Sequence, residues 1–507
     1  MRFTRQVLRR SAVLCSLSLL LTGQAPAQTR GIPQAQDNYF ADAEAALQRK
    51  LAQQPNTNRA KNIVLFIGDG MSIPTVTAAR IYGGEKRGVD GVSNKLTMET
   101  FPYAALSRTY SHDAQVTDSA PSAVAMTTGV KTVNDTLGLN QKVVLRDCAS
   151  AKGNALLTIF EMAEMAGVAT GIVTTTRITH ATPASAYAHT PFRDWEADSD
   201  MRPADRAEGC TDIADQLVTW PYGDGFEVML GGGREKLQAS AMADPEYPNV
   251  RGQRSDGRDL VAEWRRRHND ASYVWNKAEF DRIDAARTGR LLGLFERSDM
   301  QFEADRAKDT AGEPSLAEMT SKAIGILKRN GNGFILMVEG GRIDHAHHAG
   351  NAARALEETL AFDRAIAAAV AATDPAETLI VVTADHSHTL AITGYAKRDN
   401  PILGLSVGVD GNPAIARDGK PFTTLSYANG PGAMPSGRAD LTGVDTKDID
   451  FVQQSLVPLG GETHGGDDVA IFATGPFAHL FQGVVDENFI YHVMAHASQI
   501  PARAGLK

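Results

Sequence analysis

Residues of types that bind metal ions follow three apolar, strand-like runs of this chain. The runs span residues 63–67, 334–338 and 379–383, and the side chains after them are Asp69, Glu339, Asp385 and His386. Each run has the length and aliphatic content of a buried strand. In an open α/β sheet, ligands bind beyond the carboxyl ends of the strands. We therefore expect these side chains to converge on one metal centre built from distant parts of the chain.

Two further segments carry the same ligand types. Asp344 and His348 are four residues apart, so in a helix they share one face, and His464 precedes an apolar run at residues 469–472. Histidine and carboxylate ligands without cysteine are typical of catalytic more than structural zinc sites. Any one of these residues alone would more often be a capping or surface residue. Together they predict a multi-metal centre, in which two zinc ions about 4 Å apart would clamp the oxygens of a phosphoryl transfer.

Oxygen ligands and one arginine complete the candidate site. Glu339, Thr182 and one oxygen of Asp69 supply hard ligands that suit magnesium. Arg193 is the candidate for holding phosphate oxygens through two N–H groups. On its own, the same arginine could equally form a surface ion pair.

Ser119 is the candidate nucleophile. Asp118 and Ser119 precede Pro121, and Gly129 would end the helix that begins here. A helix N-terminus stabilises an ionised serine and a bound phosphate, and a coordinated zinc ion is a Lewis acid sufficient to activate the hydroxyl. The alternative is that Asp118 simply caps the helix.

Composition and order of the elements predict one large α/β domain. The chain has 507 residues, of which 43% are hydrophobic and 22% charged, as in a globular protein. The candidate ligands extend from Asp69 to His464, which predicts a single catalytic domain over residues 59–507. Strand-like runs alternate with helical patterns, as in a parallel sheet covered by helices. Residues 202–313 and 396–458 interrupt the alternation, and we interpret them as elaborations on the sheet.

The N-terminus indicates export. Arginines at positions 2, 5, 9 and 10 precede an apolar run at residues 12–21, and small residues follow at 25–27. We interpret residues 1–27 as a cleaved signal peptide of the general or twin-arginine type, and we expect a periplasmic or secreted protein without a membrane anchor. Cleavage would lower the formal net charge from −9 to about −13, which argues against a nucleic-acid-binding module.

Two cysteines would remain after cleavage. In an oxidising compartment Cys148 and Cys210 are expected to form one disulfide. Two buried free thiols are the alternative.

The motifs together resemble those of the alkaline phosphatase family. The matching segments are residues 66–71, 116–120, 338–348, 383–388 and 462–465, and the resemblance runs from residue 60 almost to the C-terminus. It implies a three-layer α/β sandwich with a large, mostly parallel central sheet flanked by helices. It also implies hydrolysis of phosphate monoesters at alkaline pH through a phosphoserine on Ser119, with two zinc ions and one magnesium ion. The natural monoester is not specified by these motifs.

The family's residue roles carry over to the matching positions. The resemblance implies one zinc site formed by Asp344, His348 and His464. It implies a second zinc site formed by Asp69, Asp385 and His386, and a magnesium site formed by Asp69, Thr182 and Glu339. Arg193 would hold the phosphate.

Several positions match the animal branch of the family and not its enterobacterial members. His180 and His345 stand where the enterobacterial enzymes carry an aspartate and a lysine near the magnesium and the phosphate. Because a histidine supplies no anion there, we expect weaker magnesium retention. The animal branch also has a calcium site, whose matching residues here are Glu246, Phe295 through its backbone carbonyl, Glu296 and, in place of an aspartate, Glu313. A surface acidic loop is the alternative interpretation, since hard oxygens alone do not define a calcium cage.

The animal-type enzymes are homodimers with an embracing N-terminal helix and a crown insertion near the site. A helical pattern at residues 39–51, within a polar arm at residues 28–58, matches the first feature by position. Residues 396–458 match the crown by position and composition. Cys148 and Cys210 match the disulfide of that branch. The resemblance therefore implies a homodimer.

Two other kinds of function remain open. A phosphodiesterase or sulfatase of the same superfamily would keep the metal-bearing strands, but diesterases generally carry threonine as the nucleophile, and sulfatases a modified cysteine or serine with calcium. A non-catalytic secreted metal or phosphate binder would be expected to lose the nucleophile. Ser119, Arg193 and the third metal site together favour phosphate monoesters.

Overall fold

The computed structural model describes residues 32–506. The predicted signal peptide lies outside these residues, as does the start of the predicted arm. The chain divides into two compact units, one ending at Gln54 and the other beginning at Pro55. Within residues 32–506, no helix combines the length and the apolar character needed to cross a bilayer.

The larger unit contains a ten-stranded sheet, a three-stranded sheet and a two-stranded sheet. In chain order the strands are β1 (Asn62–Ile67), β2 (Tyr103–Arg108), β3 (Ala169–Arg177), β4 (Val228–Gly232), β5 (Ala271–Val274), β6 (Arg290–Leu294), β7 (Phe334–Glu339), β8 (Thr378–Thr383), β9 (Ser387–His388), β10 (Leu390–Ile392), β11 (Leu425–Gly430), β12 (Ser455–Pro458), β13 (His464–Gly465), β14 (Val469–Thr474) and β15 (Val484–Asp486). The order in the large sheet is β15-β2-β14-β8-β1-β7-β3-β4-β6-β5, and of these ten strands only β14 runs antiparallel to its neighbours.

Helices fill the intervals between the strands. They are α1 (Asn38–Ala52), α2 (Ile73–Lys86), α3 (Ser119–Thr128), α4 (Cys148–Ala151), α5 (Ile159–Met165), α6 (Ala181–Ala184), α7 (Pro203–Ala207), α8 (Ile213–Thr219), α9 (Arg234–Leu237), α10 (Leu260–Arg267), α11 (Lys277–Asp281), α12 (Leu316–Leu327), α13 (Arg342–His348), α14 (Ala352–Ala372), α15 (Phe489–Ser498) and α16 (Ile500–Arg503). α5 precedes β3 and α12 precedes β7, in line with the predicted alternation of strands and helices.

The apolar runs of the sequence form the centre of the sheet. Every residue of β1 is buried, and its side chains alternate between two hydrophobic cores: Ile63 and Leu65 belong to one, Val64 and Phe66 to the other. Parallel strands covered on both faces read as continuous apolar runs because neither face meets water. The predicted three-layer α/β fold with a mostly parallel sheet is therefore confirmed.

The smaller unit contains α1, which covers the helical pattern predicted for residues 39–51. The Asp37 side chain caps it by accepting hydrogen bonds from the backbone N–H groups of Tyr39 and Phe40. Tyr39, Leu47 and Leu51 are exposed on this helix. Its predicted role in a dimer and the predicted domain boundaries stay predictions, as does the crown at residues 396–458, where β11 and β12 belong to the three-stranded sheet.

Cys148 and Cys210 form the predicted disulfide. Phe192, Trp195 and Met201 pack around it in a separate small hydrophobic cluster. The disulfide thus joins the segment before β3 to the segment that carries Arg193, so two long connections of the fold are held at one point.

Candidate active site

The carboxyl ends of neighbouring parallel strands bring the candidate ligands together. β8, β1 and β7 are adjacent, and Ile67 at the end of β1 is in register with Thr383 on one side and with Glu339 on the other. The residues that follow β1 and β8 therefore lie beside the last residue of β7. Asp69, Asp385 and Glu339 meet at this edge, and all three are fully buried.

The first ligand group consists of Asp69, Asp385 and His386, and it lies beside the candidate nucleophile Ser119. His386 Nε2 lies 3.3 Å from Asp69 Oδ1, 3.5 Å from Asp385 Oδ2 and 3.3 Å from Ser119 Oγ. Burial lowers the pKa of His386 well below its usual value, so its ring is neutral, which is the form that binds metals. Burial raises the pKa of Asp69, as does the repulsion of Asp385 and other carboxylates nearby.

The second ligand group is built from α13 and from the two-stranded sheet. Asp344 Oδ1 lies 3.2 Å from His348 Nε2 and 3.5 Å from His464 Nε2. Burial would raise the pKa of Asp344, but hydrogen bonds with the surrounding histidines hold it well below its usual range. The i, i+4 spacing places Asp344 and His348 on one face of α13, as expected. The His464 ring stacks on that of His386 at 3.5 Å between centroids, so the two groups are contiguous.

The third group lies between β7 and β3. Glu339 Oε2 accepts hydrogen bonds from Thr176 Oγ1 at 2.9 Å and from Thr174 Oγ1. Glu339 Oε1 accepts no hydrogen bond from residues 32–506 and lies 3.9 Å from His180 Nδ1. Burial raises the pKa of this carboxyl to about 7. Thr182, at the start of α6, is fully buried, and its hydroxyl has no hydrogen-bond partner among the described residues.

The hydrogen bonding of the buried carboxylates indicates whether these residues suit metal ions. In the part of the chain that the structure describes, no group donates a hydrogen bond to either oxygen of Asp69, to Asp385 Oδ2 or to Glu339 Oε1. Leaving buried carboxylate oxygens unpaired is costly unless a cation is present. Asp69, Asp385 and His386 lie close enough to share one ion, and so do Asp69, His180 and Glu339. These carboxylate and histidine ligands, with their unpaired buried oxygens, therefore suit divalent cations.

Ser119 is the first residue of α3, and it is buried. Asp118 caps the helix by accepting a hydrogen bond from Ala120 N–H at 2.7 Å, and Gly129 ends it in a left-handed conformation. The same Asp118 oxygen accepts a hydrogen bond from Arg193 Nη1 at 2.9 Å. Asp118 therefore caps the helix, as the alternative interpretation had it, and it also contacts Arg193, the candidate phosphate-binding residue.

Comparison with known proteins agrees with this geometry. The family model for alkaline phosphatase matches residues 60–500. An alkaline phosphatase of Gadus morhua is 46% identical over 467 residues, which cover 90% of this chain and 96% of that protein. The tissue-nonspecific alkaline phosphatase of Mus musculus is 46% identical over 458 residues, covering 89% and 86% of the two chains. The chain belongs to the alkaline phosphatase family.

Solved structures agree on the fold. The alkaline phosphatase of Thermus thermophilus has a TM-score of 0.63 and is 26% identical, covering 89% of this chain and 93% of its own. The alkaline phosphatase of the Antarctic bacterium TAB5 has a TM-score of 0.59 at 23% identity, and the match covers 87% of this chain and 99% of its own. This similarity shows the fold alone. The predicted closeness to the animal branch is confirmed by the identities to animal members of the family.

His180 and His345 lie side by side near the third group. Their rings meet edge to face with centroids 5.8 Å apart. His180 Nε2 lies 2.9 Å from Arg193 Nη2, and His345 Nδ1 lies 2.8 Å from Arg342 Nη1. Since arginine can only donate, each histidine accepts through the nitrogen that faces its arginine. His180 therefore links the arginine to the neighbourhood of Glu339.

Three of the predicted calcium residues, Glu246, Glu296 and Glu313, lie close together, and Asp309, which was not predicted, lies beside Glu313. The Gln301 side chain donates to Glu296 Oε1 at 3.1 Å, while its backbone N–H donates to Glu313 Oε1 at 2.9 Å. Burial raises the pKa of Glu313 to about 9, with Asp309 and Glu296 adding to the shift. One buried oxygen of each of Glu313 and Asp309 has no hydrogen-bond partner within residues 32–506. Glu246 is partly satisfied by Arg234 Nη2 at 2.8 Å.

His388 and Glu462 are further residues of the site that the sequence argument did not single out. His388 Nε2 lies 2.7 Å from Asp344 Oδ1, and its Nδ1 lies 2.5 Å from Glu462 Oε2. Both side chains are buried. A signal was present in the sequence, because His388 follows the predicted ligand His386 by only two residues.

Proposed function

We propose that this protein hydrolyses phosphate monoesters through a phosphoserine on Ser119. The observation that carries the proposal is the position of Ser119 Oγ, which lies at a helix N-terminus and 3.3 Å from a histidine of the first ligand group. In this proposal Asp344, His348 and His464 hold one zinc ion. Asp69, Asp385 and His386 hold the other, and Asp69, Thr182 and Glu339 hold magnesium. When bound, these cations would lower the pKa of the serine hydroxyl and neutralise negative charge on the phosphoryl oxygens.

Ser119 and its helix supply the nucleophile and part of its stabilisation. Ser119 Oγ forms a bond to phosphorus while the bond from phosphorus to the alcohol oxygen breaks, and the alcohol departs with a proton. Water then attacks the phosphoserine, which releases inorganic phosphate and restores the serine hydroxyl. The dipole at the start of α3 favours negative charge on Ser119 throughout.

Arg193 supplies recognition of the phosphoryl group. Its two hydrogen bonds, to Asp118 and His180, engage one N–H on each terminal nitrogen and hold the guanidinium plane in place. The second N–H of each nitrogen is then available for two phosphate oxygens. A monoester dianion presents more free oxygens and more charge than a diester, so this arrangement supports a preference for monoesters.

Replacing Ser119 tests the nucleophile. Ser119→Ala should lower kcat on p-nitrophenyl phosphate by roughly 10³-fold or more, because removing a nucleophile removes the covalent route. Acid quenching of the metal-loaded wild type with labelled phosphate should trap label on Ser119, and the variant should carry none.

Ser122→Ala is the matched control. The Ser122 hydroxyl donates to the backbone carbonyls of Asp118 and Ser119, so the variant makes the same chemical change three residues further along the helix. Its kcat should stay within about threefold of wild type, as expected for a lost neutral hydrogen bond. A Ser119→Ala variant as active as Ser122→Ala, or faster turnover of bis(p-nitrophenyl) phosphate than of the monoester, would refute the proposal.

We also propose that the histidine at position 180 weakens magnesium retention. The neutral imidazole of His180 lies near Glu339. An anionic side chain at this position would attract the magnesium ion. His180→Asp should tighten magnesium binding by roughly tenfold or more, since carboxylate charge sets affinity in such sites. Calorimetric titration of the zinc-loaded protein measures this, and His180→Asn controls for size without charge. Equal affinities in all three proteins would contradict the idea.

The acidic group around Glu313 is proposed as a calcium site. Unpaired oxygens of Glu313 and Asp309 support this over a surface acidic loop, because Glu313 is buried. Millimolar calcium should raise the Tm of the wild type by several degrees and that of Glu313→Gln much less. Asp281→Asn, which changes an exposed carboxylate, should respond as the wild type does. An equal calcium response of Glu313→Gln would exclude the site.

We propose that the mature protein is an exported homodimer. The disulfide suits an oxidising compartment, and α1 carries the exposed apolar residues Tyr39, Leu47 and Leu51, which suit an interface. Native mass spectrometry should give twice the mass of residues 28–507. A monomeric mass would contradict the dimer, and a mass that includes residues 1–27 would contradict cleavage.

A further inference from the structure

Asp135 lies between the two partners of the Arg193–Asp118 pair. Its backbone N–H donates to Asp118 Oδ2 at 2.5 Å, and its carbonyl accepts the backbone N–H of Arg193 at 2.7 Å. Asp118 Oδ1 in turn accepts from Arg193 Nη1. The three residues thus form a closed ring in which one peptide segment contacts both members of the charged pair.

The Asp135 N–H fixes the orientation of the Asp118 carboxylate. Asp118 Oδ1 serves both the helix cap and the arginine, whereas Oδ2 has no donor other than Asp135 N–H among residues 32–506. Hydrogen bonds to both oxygens restrain the rotation of the carboxylate about its Cβ–Cγ bond. The plane of the Arg193 guanidinium is set by the oxygen it meets, so it depends on this second contact.

The backbone of Asp135 is left-handed, with φ +62°. Aspartate, asparagine and glycine tolerate this region, whereas a β-branched residue is disfavoured there. The flanking chain has little freedom to compensate. Asn134 N–H donates to Asp113 Oδ1 at 2.9 Å, and Leu137 and Thr190 exchange two backbone hydrogen bonds of 3.0 Å. A change of conformation at position 135 would therefore move the two peptide groups that contact Asp118 and Arg193.

We propose that Asp135 is a positioning residue for phosphate recognition: its left-handed backbone orients Arg193 by holding both Asp118 Oδ2 and the Arg193 N–H. The inference rests on the proposed function, in which Arg193 binds the phosphoryl group. The contribution belongs to the backbone and not to the carboxylate, whose charge faces a mixed surrounding of Asp118, Asp194, Arg193 and Arg146.

Three substitutions separate backbone from side chain. Asp135→Asn and Asp135→Gly keep access to the left-handed region, while Asp135→Val opposes it. In the metal-loaded protein, Asp135→Val should raise KM for p-nitrophenyl phosphate and Ki for inorganic phosphate together, by about five- to thirtyfold. The Asn and Gly variants should stay within about twofold of wild type. A Val variant that only lowers Tm, with KM and Ki unchanged, would overturn the inference.

The same substitution in an Arg193→Ala background tests whether the effect passes through the arginine. There Asp135→Val should add less than about twofold to KM and Ki, since coupled residues are non-additive. An undiminished effect in that background would overturn the inference while leaving the proposed function intact. Absence of wild-type hydrolysis, or an unchanged phosphate Ki in Arg193→Ala itself, would instead overturn the proposed function and this inference with it.

Discussion

The structure depends on a group of buried carboxylates that have too few hydrogen-bond donors around them. Asp69, Asp385 and Glu339 share one small volume at the edge of the sheet, and several of their oxygens accept no hydrogen bond from the described part of the chain. Bringing such charges out of water costs several kcal/mol for each ion unless a partner offsets it. The protein supplies neutral histidines and threonine hydroxyls around them, and these cannot balance the charge. Divalent cations can, so the fold and the metal ions must be treated as one system.

The scaffold explains how such a costly arrangement is maintained. Strands β8, β1 and β7 are buried on both faces, so their carboxyl ends are held by two hydrophobic cores. The ligand groups draw on residues from Asp69 to His464, and α3 and α13, which are far apart in the chain, both contribute to the site. The site therefore exists only when the large unit is fully folded. Because ligands for one ion come from distant segments, metal binding and folding stability are expected to be linked.

Much of the site was predictable from the sequence because one physical rule places it. Parallel strands covered on both faces appear as apolar runs, and chemistry then collects at their carboxyl ends. Asp69, Glu339 and Asp385 follow from that rule alone. The position of Ser119 at a helix N-terminus followed from Asp118 before it and Gly129 at the end of α3, whereas its candidacy as nucleophile depended on the ligand groups. The disulfide between Cys148 and Cys210 followed from the number of cysteines.

Other features lie beyond what spacing along the chain can predict. The antiparallel direction of β14 depends on how the chain returns to the sheet, and an apolar run carries no sign of direction. The hydrogen-bonded pair of His388 and Glu462 joins residues more than seventy positions apart, and the ring through Asp135 depends on backbone groups that every sequence possesses. Asp309 was missed because a single acidic residue in a polar stretch has no distinctive pattern.

The most direct test of the account is anomalous diffraction at the zinc edge from crystals of the zinc- and magnesium-loaded protein. Two zinc peaks are expected about 4 Å apart, one bonded to Asp344, His348 and His464 and the other to Asp69, Asp385 and His386. Both should lie beside Ser119 Oγ. Zinc found only on exposed histidines, or a site at the sheet edge that stays empty at saturating metal, would contradict the claim that these buried carboxylates exist to hold cations.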